Sequence, residues 1–131
     1  MSGARIFLGV SILIWLPYGL YCLMVPGALA ESAGVLSTSQ TGSTEIRAMY
    51  GGLQAAIGAL ALAGFLRANL SNAALLAIGF LSVGLFSARL LGLGLDGGLS
   101  TYTGGALAFE AVNSFFAIRF ARFDDGVAVA R

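Results

Sequence analysis

The sequence contains no histidine, no lysine and a single cysteine, Cys22. Imidazole and thiolate groups supply most protein ligands of zinc, haem and iron–sulfur clusters, so these absences argue against such a resident cofactor. One cysteine also excludes a disulfide within the chain. We therefore predict no cofactor, and we look for chemistry among the carboxylates, the arginines and the four tyrosines.

Charge is scarce as well: 10% of the 131 residues are charged, whereas 58% are hydrophobic. A soluble domain carries about 25% charged residues. A chain this short and this apolar cannot cover its surface with polar groups, which indicates that membrane lipid is its solvent. The net charge of +1 gives no electrostatic basis for a nucleic-acid partner, and we expect none.

Long apolar runs are what the sequence has instead. A spanning helix needs about 20 mostly apolar residues, and four stretches qualify, near 4–25, 46–67, 71–94 and 99–121. We predict a single all-α domain, an integral membrane antiparallel four-helix bundle. Ala28-Leu29-Ala30 resembles a signal-peptide cleavage site, but the apolar run before it exceeds the about 7–15 residues typical of such peptides.

The segment after the first span contains its own helix signals. Pro26 suits the first position of a short helix and Gly34 suits its end, so PGALAESAG predicts a short interfacial helix. Ser43 is the predicted N-cap of the second span, and Glu45 suits the positive end of that helix dipole.

Arginine is unevenly distributed between the two sides of the predicted bundle. One side has only Arg47, and the other has Arg5, Arg67, Arg119, Arg122 and Arg131. Cytoplasmic segments are enriched in positive residues. We therefore predict a multi-pass protein of the bacterial inner membrane with both termini in the cytoplasm.

Glycine is abundant, and Gly92-x-Gly94-x-x-Gly97 matches a dinucleotide-binding pattern. That pattern works only between a strand and a helix, whereas here it follows a membrane span. We interpret Gly94, Gly97 and Gly98 as a tight turn between the third and fourth spans.

Small residues also recur at helical spacing on two spans. In lipid, such residues let helix backbones approach closely, within one chain or between chains. The predicted packing positions are Gly51, Ala55, Ala59 and Ala63 on the second span and Gly84, Ala88 and Gly92 on the third.

Arg89 and Glu110 are charged residues inside apolar spans. A charge at the centre of a span costs about 2.5–3.5 kcal/mol, and such residues usually pair or face a cavity. Measured from the turn near Gly97 at about 1.5 Å per residue, their depths differ by only about 6–8 Å. We predict that they lie within reach of each other.

Other polar residues extend this pair into a predicted intramembrane cluster in the outer half of the bundle. Its members are Arg47, Tyr50, Gln54, Arg89, Glu110 and Asn113, with Tyr18 or Tyr21 nearby. Three interpretations stay open. The cluster is structural, with Arg89 neutralising Glu110, or it binds a small molecule or lipid headgroup, or it forms a proton or ion path.

Several motifs together resemble a known group of sequences. They are YGLYCLMVPGALAESAG, TEIRAMYGGLQAAIGALAL, SARLLGLGLDG and ALAFEAVNSFFAIRF, and the most specific is E-x-R-x-x-Y-G-G, from Glu45 to Gly52. Over roughly residues 5–121, the sequence resembles an uncharacterised family of small four-helix bacterial membrane proteins, a domain of unknown function distantly similar to DoxX-type proteins. The resemblance implies a four-helix fold in the inner membrane and supplies no activity.

Two functions follow from these observations. The first is a non-catalytic accessory or structural subunit of a larger membrane complex, because cofactor ligands are missing and several helix faces suit packing on other chains or on a second copy. The alternative is a protein that binds or transports a small molecule, lipid or quinone headgroup at the Arg/Glu cluster. Nothing marks a nucleophile, so an enzyme using Glu110 as a general acid or base is the less favoured interpretation.

Overall fold

The computed structural model of the chain describes residues 2–121, and these residues contain helices and connecting segments without a strand. The predicted positions of Arg122 and Arg131 lie outside this range. The helices are α1 (Gly3–Met24), a 3-10 turn (Pro26–Leu29) that leads into the short α2 (Ala30–Ala33), α3 (Gln40–Leu66), α4 (Ala68–Asp96) and α5 (Thr101–Phe120).

Three of these helices, α1, α3 and α4, are long and apolar enough to cross a membrane. The prediction of an all-helical fold is confirmed for the described residues, and these three helices indicate a membrane protein. Helix α5 is long enough but less apolar, because Glu110, Asn113 and Arg119 interrupt its apolar residues. Its role as a fourth span stays a prediction.

Helix α3 begins earlier than its apolar run. Its first residue is Gln40, and its N-cap is Ser39, whose hydroxyl accepts a hydrogen bond from the Gly42 N–H at 3.0 Å. The predicted cap at Ser43 is therefore wrong, and the helix extends beyond the predicted span of residues 46–67 at its N-terminal end. Hydropathy marks where lipid-compatible residues begin, whereas polar residues with a suitable cap also form helical turns.

Within α3, residues Arg47–Gly52 form a π-helical turn that nothing in the sequence pattern predicted. A π turn inserts an extra residue into the helical repeat, and such turns occur often at functional sites. This turn changes which side chains of α3 share a face. Tyr50 lies inside the turn, and Gln54 is the second residue after it.

Glycines with positive φ end two of the helices. Gly34 has φ of 68° and ends the short helical segment that begins at Pro26, as predicted. Gly97 and Gly98 have φ of 72° and 81° and form the turn between α4 and α5, whereas Gly94 lies inside α4. These conformations favour glycine because it lacks a Cβ atom.

The helices pack most extensively in two pairs, α1 with α3 and α4 with α5, and α3 also packs on α4. The α1–α3 contact is close because glycine lies on it: a Cβ atom on Gly58 would lie 2.5 Å from the Leu16 nitrogen. All four long helices contribute to the core, which comprises Leu8, Trp15, Ile57, Ala61, Ala74, Leu75, Ile78 and Ala117.

Candidate functional site

An ion pair joins α4 to α5. The Nε atom of Arg89 donates to Oε1 of Glu110 at 2.7 Å. The Glu110 side chain is 3% exposed and that of Arg89 is 28% exposed, so the carboxylate is buried while the guanidinium lies closer to the surface. The structure thus brings together the two charged residues that the sequence placed at similar depth.

A cavity of about 790 Å³ lies beside this ion pair. Small-molecule sites in proteins usually measure about 300–1,000 Å³. The walls come from all four long helices and are mostly apolar or aromatic. The lining includes Trp15 and Tyr18 from α1, Tyr50 and Gln54 from α3, Leu85, Ala88 and Arg89 from α4, and Tyr102, Gly105, Ala106, Phe109 and Glu110 from α5.

Three buried polar atoms on residues that line the cavity have no hydrogen-bond partner among the described residues. They are Oε2 of Glu110, Oε1 of Gln54 and Nε1 of Trp15. The first two accept hydrogen bonds and the indole nitrogen donates one. Buried polar groups are nearly always satisfied in native proteins, so three such atoms around one cavity require an explanation.

Two tyrosines, Tyr102 and Tyr18, lie near the ion pair. The Cζ atom of Arg89 lies 5.7 Å from the centroid of the Tyr102 ring, within cation–π range. The Tyr18 side chain lies beside Tyr102 and Cys22. Of the two tyrosines expected near the cluster, Tyr18 lines the cavity, whereas Tyr21 is 58% exposed and does not.

Arg47 lies apart from the cavity. Its guanidinium Nη1 donates to the carbonyl oxygens of Leu23 and, at 3.3 Å, of Met24. These carbonyls belong to the last turn of α1, where helical carbonyls lack partners within the helix. Arg47 was predicted to belong to the cluster, but it hydrogen-bonds to the end of α1 and does not line the cavity.

Asn113 forms a hydrogen bond with Ser82, a residue that was not among the predicted members of the cluster. Its Nδ2 atom donates to the hydroxyl of Ser82 at 2.6 Å, and both residues are buried. Ser82 lies two turns before Arg89 on the same helix, and Asn113 lies one turn after Glu110, so the two polar contacts form neighbouring layers between α4 and α5. The sequence signal that could have identified Ser82 is its position two helical turns before Arg89, on the same face of the helix.

The small-residue positions divide into two groups. On α3, Gly51 packs against Leu23 and Ala55 packs against Gly19 of α1. Gly58, which was not among the predicted positions, packs against Leu16 of α1. The other two predicted positions differ, since Ala59 is exposed and Ala63 is half-buried. On α4, Gly84 and Ala88 are exposed, and a Cβ atom on Gly84 or Gly92 would meet no atom within 4 Å. Gly84 and Gly92 therefore make no close helix contact within residues 2–121, whereas Ala88 between them lines the cavity.

Metal-binding side chains are not gathered in the part of the chain that the structure describes, which contains no group of three or more His, Cys, Asp or Glu residues suited to an ion. The arrangement instead offers a paired charge, several hydroxyl groups and three unpartnered polar atoms in an apolar enclosure. Such a site can bind a molecule that is partly polar and partly apolar.

Comparison with known proteins gives a family but no activity. No curated protein and no solved structure matches the chain. The sequence profile described as a domain of unknown function, DUF4345, matches residues 3–119, which include all the helices described above up to the last turn of α5. The chain therefore belongs to the DUF4345 family.

Proposed function

We propose that this chain is a multi-pass inner-membrane protein that binds a small amphipathic molecule in the cavity beside Arg89 and Glu110. In this proposal α5 is the fourth span of an antiparallel four-helix bundle, and both termini lie in the cytoplasm. The apolar length of α1, α3 and α4 supports a membrane location. The arginine distribution supports the orientation.

The observation that supports binding most strongly is the set of unpartnered polar atoms around the cavity. A purely structural ion pair would neutralise Glu110 without needing an adjacent cavity, and helix packing would normally satisfy the second carboxylate oxygen. Here Glu110 Oε2 is buried without a donor among the described residues, and Gln54 and Trp15, which line the same cavity, each hold a further buried unpartnered atom. A bound molecule that supplies their partners accounts for all three.

Native mass spectrometry tests this proposal. The protein is extracted from its own membrane in mild detergent, and the intact particle is weighed together with its bound molecules. Two glycines offer a matched pair of variants, because a Cβ atom at either position meets no atom within 4 Å. Gly105→Leu places a side chain at the cavity wall, and Gly84→Leu places the same side chain on the outer face of α4.

We expect the wild-type protein and the Gly84→Leu variant to retain a bound small molecule that the Gly105→Leu variant loses. Equal retention by both variants would contradict the proposed site. A wild-type particle without any bound small molecule would contradict the proposed function.

Accessory-subunit function is a second candidate, and two glycines of α4 favour it. Gly84 and Gly92 leave room for another helix to pack closely, and no atom among the described residues lies within 4 Å of a Cβ placed at either position. The same mass measurement tests it. A subunit is expected to carry further protein chains at fixed stoichiometry, and Gly84→Leu is expected to remove them, whereas a particle of one chain type with no change in that variant contradicts this role.

A further inference from the structure

The cavity lining has no net charge. Its charged residues are Arg89 and Glu110, which pair at 2.7 Å, and the guanidinium also faces the Tyr102 ring. The other arginine of the predicted cluster, Arg47, donates to carbonyl groups at the end of α1. An anionic headgroup would therefore have to displace Glu110 from Arg89 to gain a cationic partner.

The unpartnered atoms specify hydrogen bonding rather than charge. Glu110 Oε2 and Gln54 Oε1 both need a donor, and Trp15 Nε1 needs an acceptor. A hydroxyl group supplies both functions, because its hydrogen is donated while its oxygen accepts. An uncharged head with two or more hydroxyl groups satisfies all three atoms, whereas a deprotonated phosphate or carboxylate offers no donor to the two acceptors.

A second, apolar space lies next to this cavity. It measures about 520 Å³ and lies between α1 and α5, whose mutual packing is sparse. Val10, Val112 and Phe116 belong to its walls. Ile14 and Phe109 line both spaces, so the polar cavity and the apolar groove are neighbours on either side of these two side chains.

From the hydrogen-bonding pattern and this adjacency we propose that the bound molecule is an uncharged, hydroxyl-bearing lipid with its head in the cavity and one hydrocarbon chain passing Ile14 and Phe109 into the groove between α1 and α5. The inference rests on the proposed binding function and names its ligand class. Head hydroxyl groups bond to Glu110, Gln54 and Trp15, and the chain lies along apolar side chains. The open α1–α5 side is then the route by which the lipid enters from the membrane.

Trp15 makes this testable, because it is the single tryptophan of the sequence and lies at the site. Two probes with the same chain are titrated into purified protein: monooleoylglycerol, whose head is an uncharged diol, and oleoyl lysophosphatidic acid, whose head carries a phosphate. We expect monooleoylglycerol to change the Trp15 emission with an affinity at least about tenfold higher than that of its phosphorylated counterpart.

Gln54→Leu removes one acceptor of the proposed head site without leaving an unpaired charge. We expect about a tenfold loss of monooleoylglycerol affinity, because one donor of the bound head is then left without a partner. Gln40→Leu, the same change at an exposed position of the same helix, is the control and is expected to bind like wild type. Thermal unfolding of both variants verifies that they are folded.

The groove is tested with a chain that quenches fluorescence. A monoacylglycerol brominated along its chain is expected to quench Trp15, which lies 5.5 Å from Phe109 in ring-centroid distance at the junction of the two spaces. Val10→Phe, which fills the groove, is expected to weaken binding severalfold. Val83→Phe is the matched control, because Val83 is similarly exposed at 40% against 48% for Val10 and lies on α4 away from the groove.

The outcomes separate the two levels of the proposal. Tighter binding of lysophosphatidic acid than of monooleoylglycerol would overturn the uncharged ligand class and leave the proposed binding function standing. Equal effects of Val10→Phe and Val83→Phe, with no quenching by the brominated chain, would overturn the placement of the chain. No response of Trp15 to either probe, together with a native particle that holds no small molecule, would overturn the binding function itself.

Discussion

Helix α1 has two neighbours that it meets in opposite ways. On the α3 side, Gly51 and Gly58 bring backbones into contact with Leu23 and Leu16. On the α5 side, the backbones stand apart and aromatic pairs bridge the gap, with Phe7 and Phe120 at 6.1 Å between ring centroids. One face of α1 is thus closed by glycine, and the other is left open along a groove.

Polar groups follow the same division. On the closed side, the last carbonyls of α1 receive hydrogen bonds from Arg47 of α3. On the open side, Trp15 Nε1 and Glu110 Oε2 are buried without a partner among the described residues. The α1–α3 contact thus supplies the frame, whereas the cavity, to which Gln54 of α3 also contributes an unpartnered atom, retains the unsatisfied hydrogen-bonding capacity that a binding site requires.

Adding a side chain to the close α1–α3 contact should have the largest effect on stability. In Gly58→Val, the new Cβ atom would lie 2.5 Å from the Leu16 backbone nitrogen, and backbone atoms cannot rotate away as side chains do. We expect a loss of stability beyond the about 1–3 kcal/mol of ordinary overpacking, so that little folded protein is recovered. Gel filtration after detergent extraction measures this.

Gly84→Val is the control for that change, since its Cβ atom meets nothing within 4 Å and α4 is exposed there. It should fold with near wild-type yield. Full recovery of folded Gly58→Val would show that backbone contact with α3 does not hold α1 in place.

Breaking the ion pair should have the next largest effect. Arg89→Met leaves the Glu110 carboxylate buried and unpaired, which typically costs about 3–5 kcal/mol. Adding Glu110→Leu removes that charge, so the double variant should regain much of the lost stability. Denaturant unfolding of the two single variants and the double variant gives the coupling; additive losses would mean that the two side chains do not depend on each other.

Removing the Arg47 contact tests the closed side more gently. Arg47→Met keeps much of the apolar stem and removes the donors to Leu23 and Met24, with an expected loss of about 2 kcal/mol. Arg67→Met, at an exposed position after α3, is the matched control and should be almost neutral. Equal unfolding midpoints for the two variants would argue against the Arg47 contact as a stabilising one.

The smallest effect on stability is expected at the cavity. Gln54 is buried, but its Oε1 atom bonds to nothing among the described residues, so Gln54→Leu should leave the unfolding free energy of the ligand-free protein within about 1 kcal/mol of wild type or raise it. Unfolding measured after delipidation tests this. A large loss would mean that Gln54 belongs to the frame, contrary to the comparison.

The sequence predicts the helices well because apolar length is a property of local sequence, and it brings Arg89 and Glu110 to similar depth by counting residues from one turn. It does not predict how the helices face each other, since helices that are apolar on all sides have little polar contrast to orient them. Arg47 illustrates this limit, because its carbonyl partners lie on another helix that is remote in sequence. The π turn before Gln54 likewise shifts side chains in a way that a regular helical repeat does not describe.

An experimental structure of the protein purified with its own membrane lipids would test the central claim most directly. We predict non-protein density in the cavity, within hydrogen-bond distance of Glu110 Oε2 and Gln54 Oε1, that continues past Ile14 and Phe109 into the α1–α5 groove. A cavity closed by side chains, with both oxygens bonded to protein groups, would contradict the account and leave the Arg89–Glu110 pair a structural one.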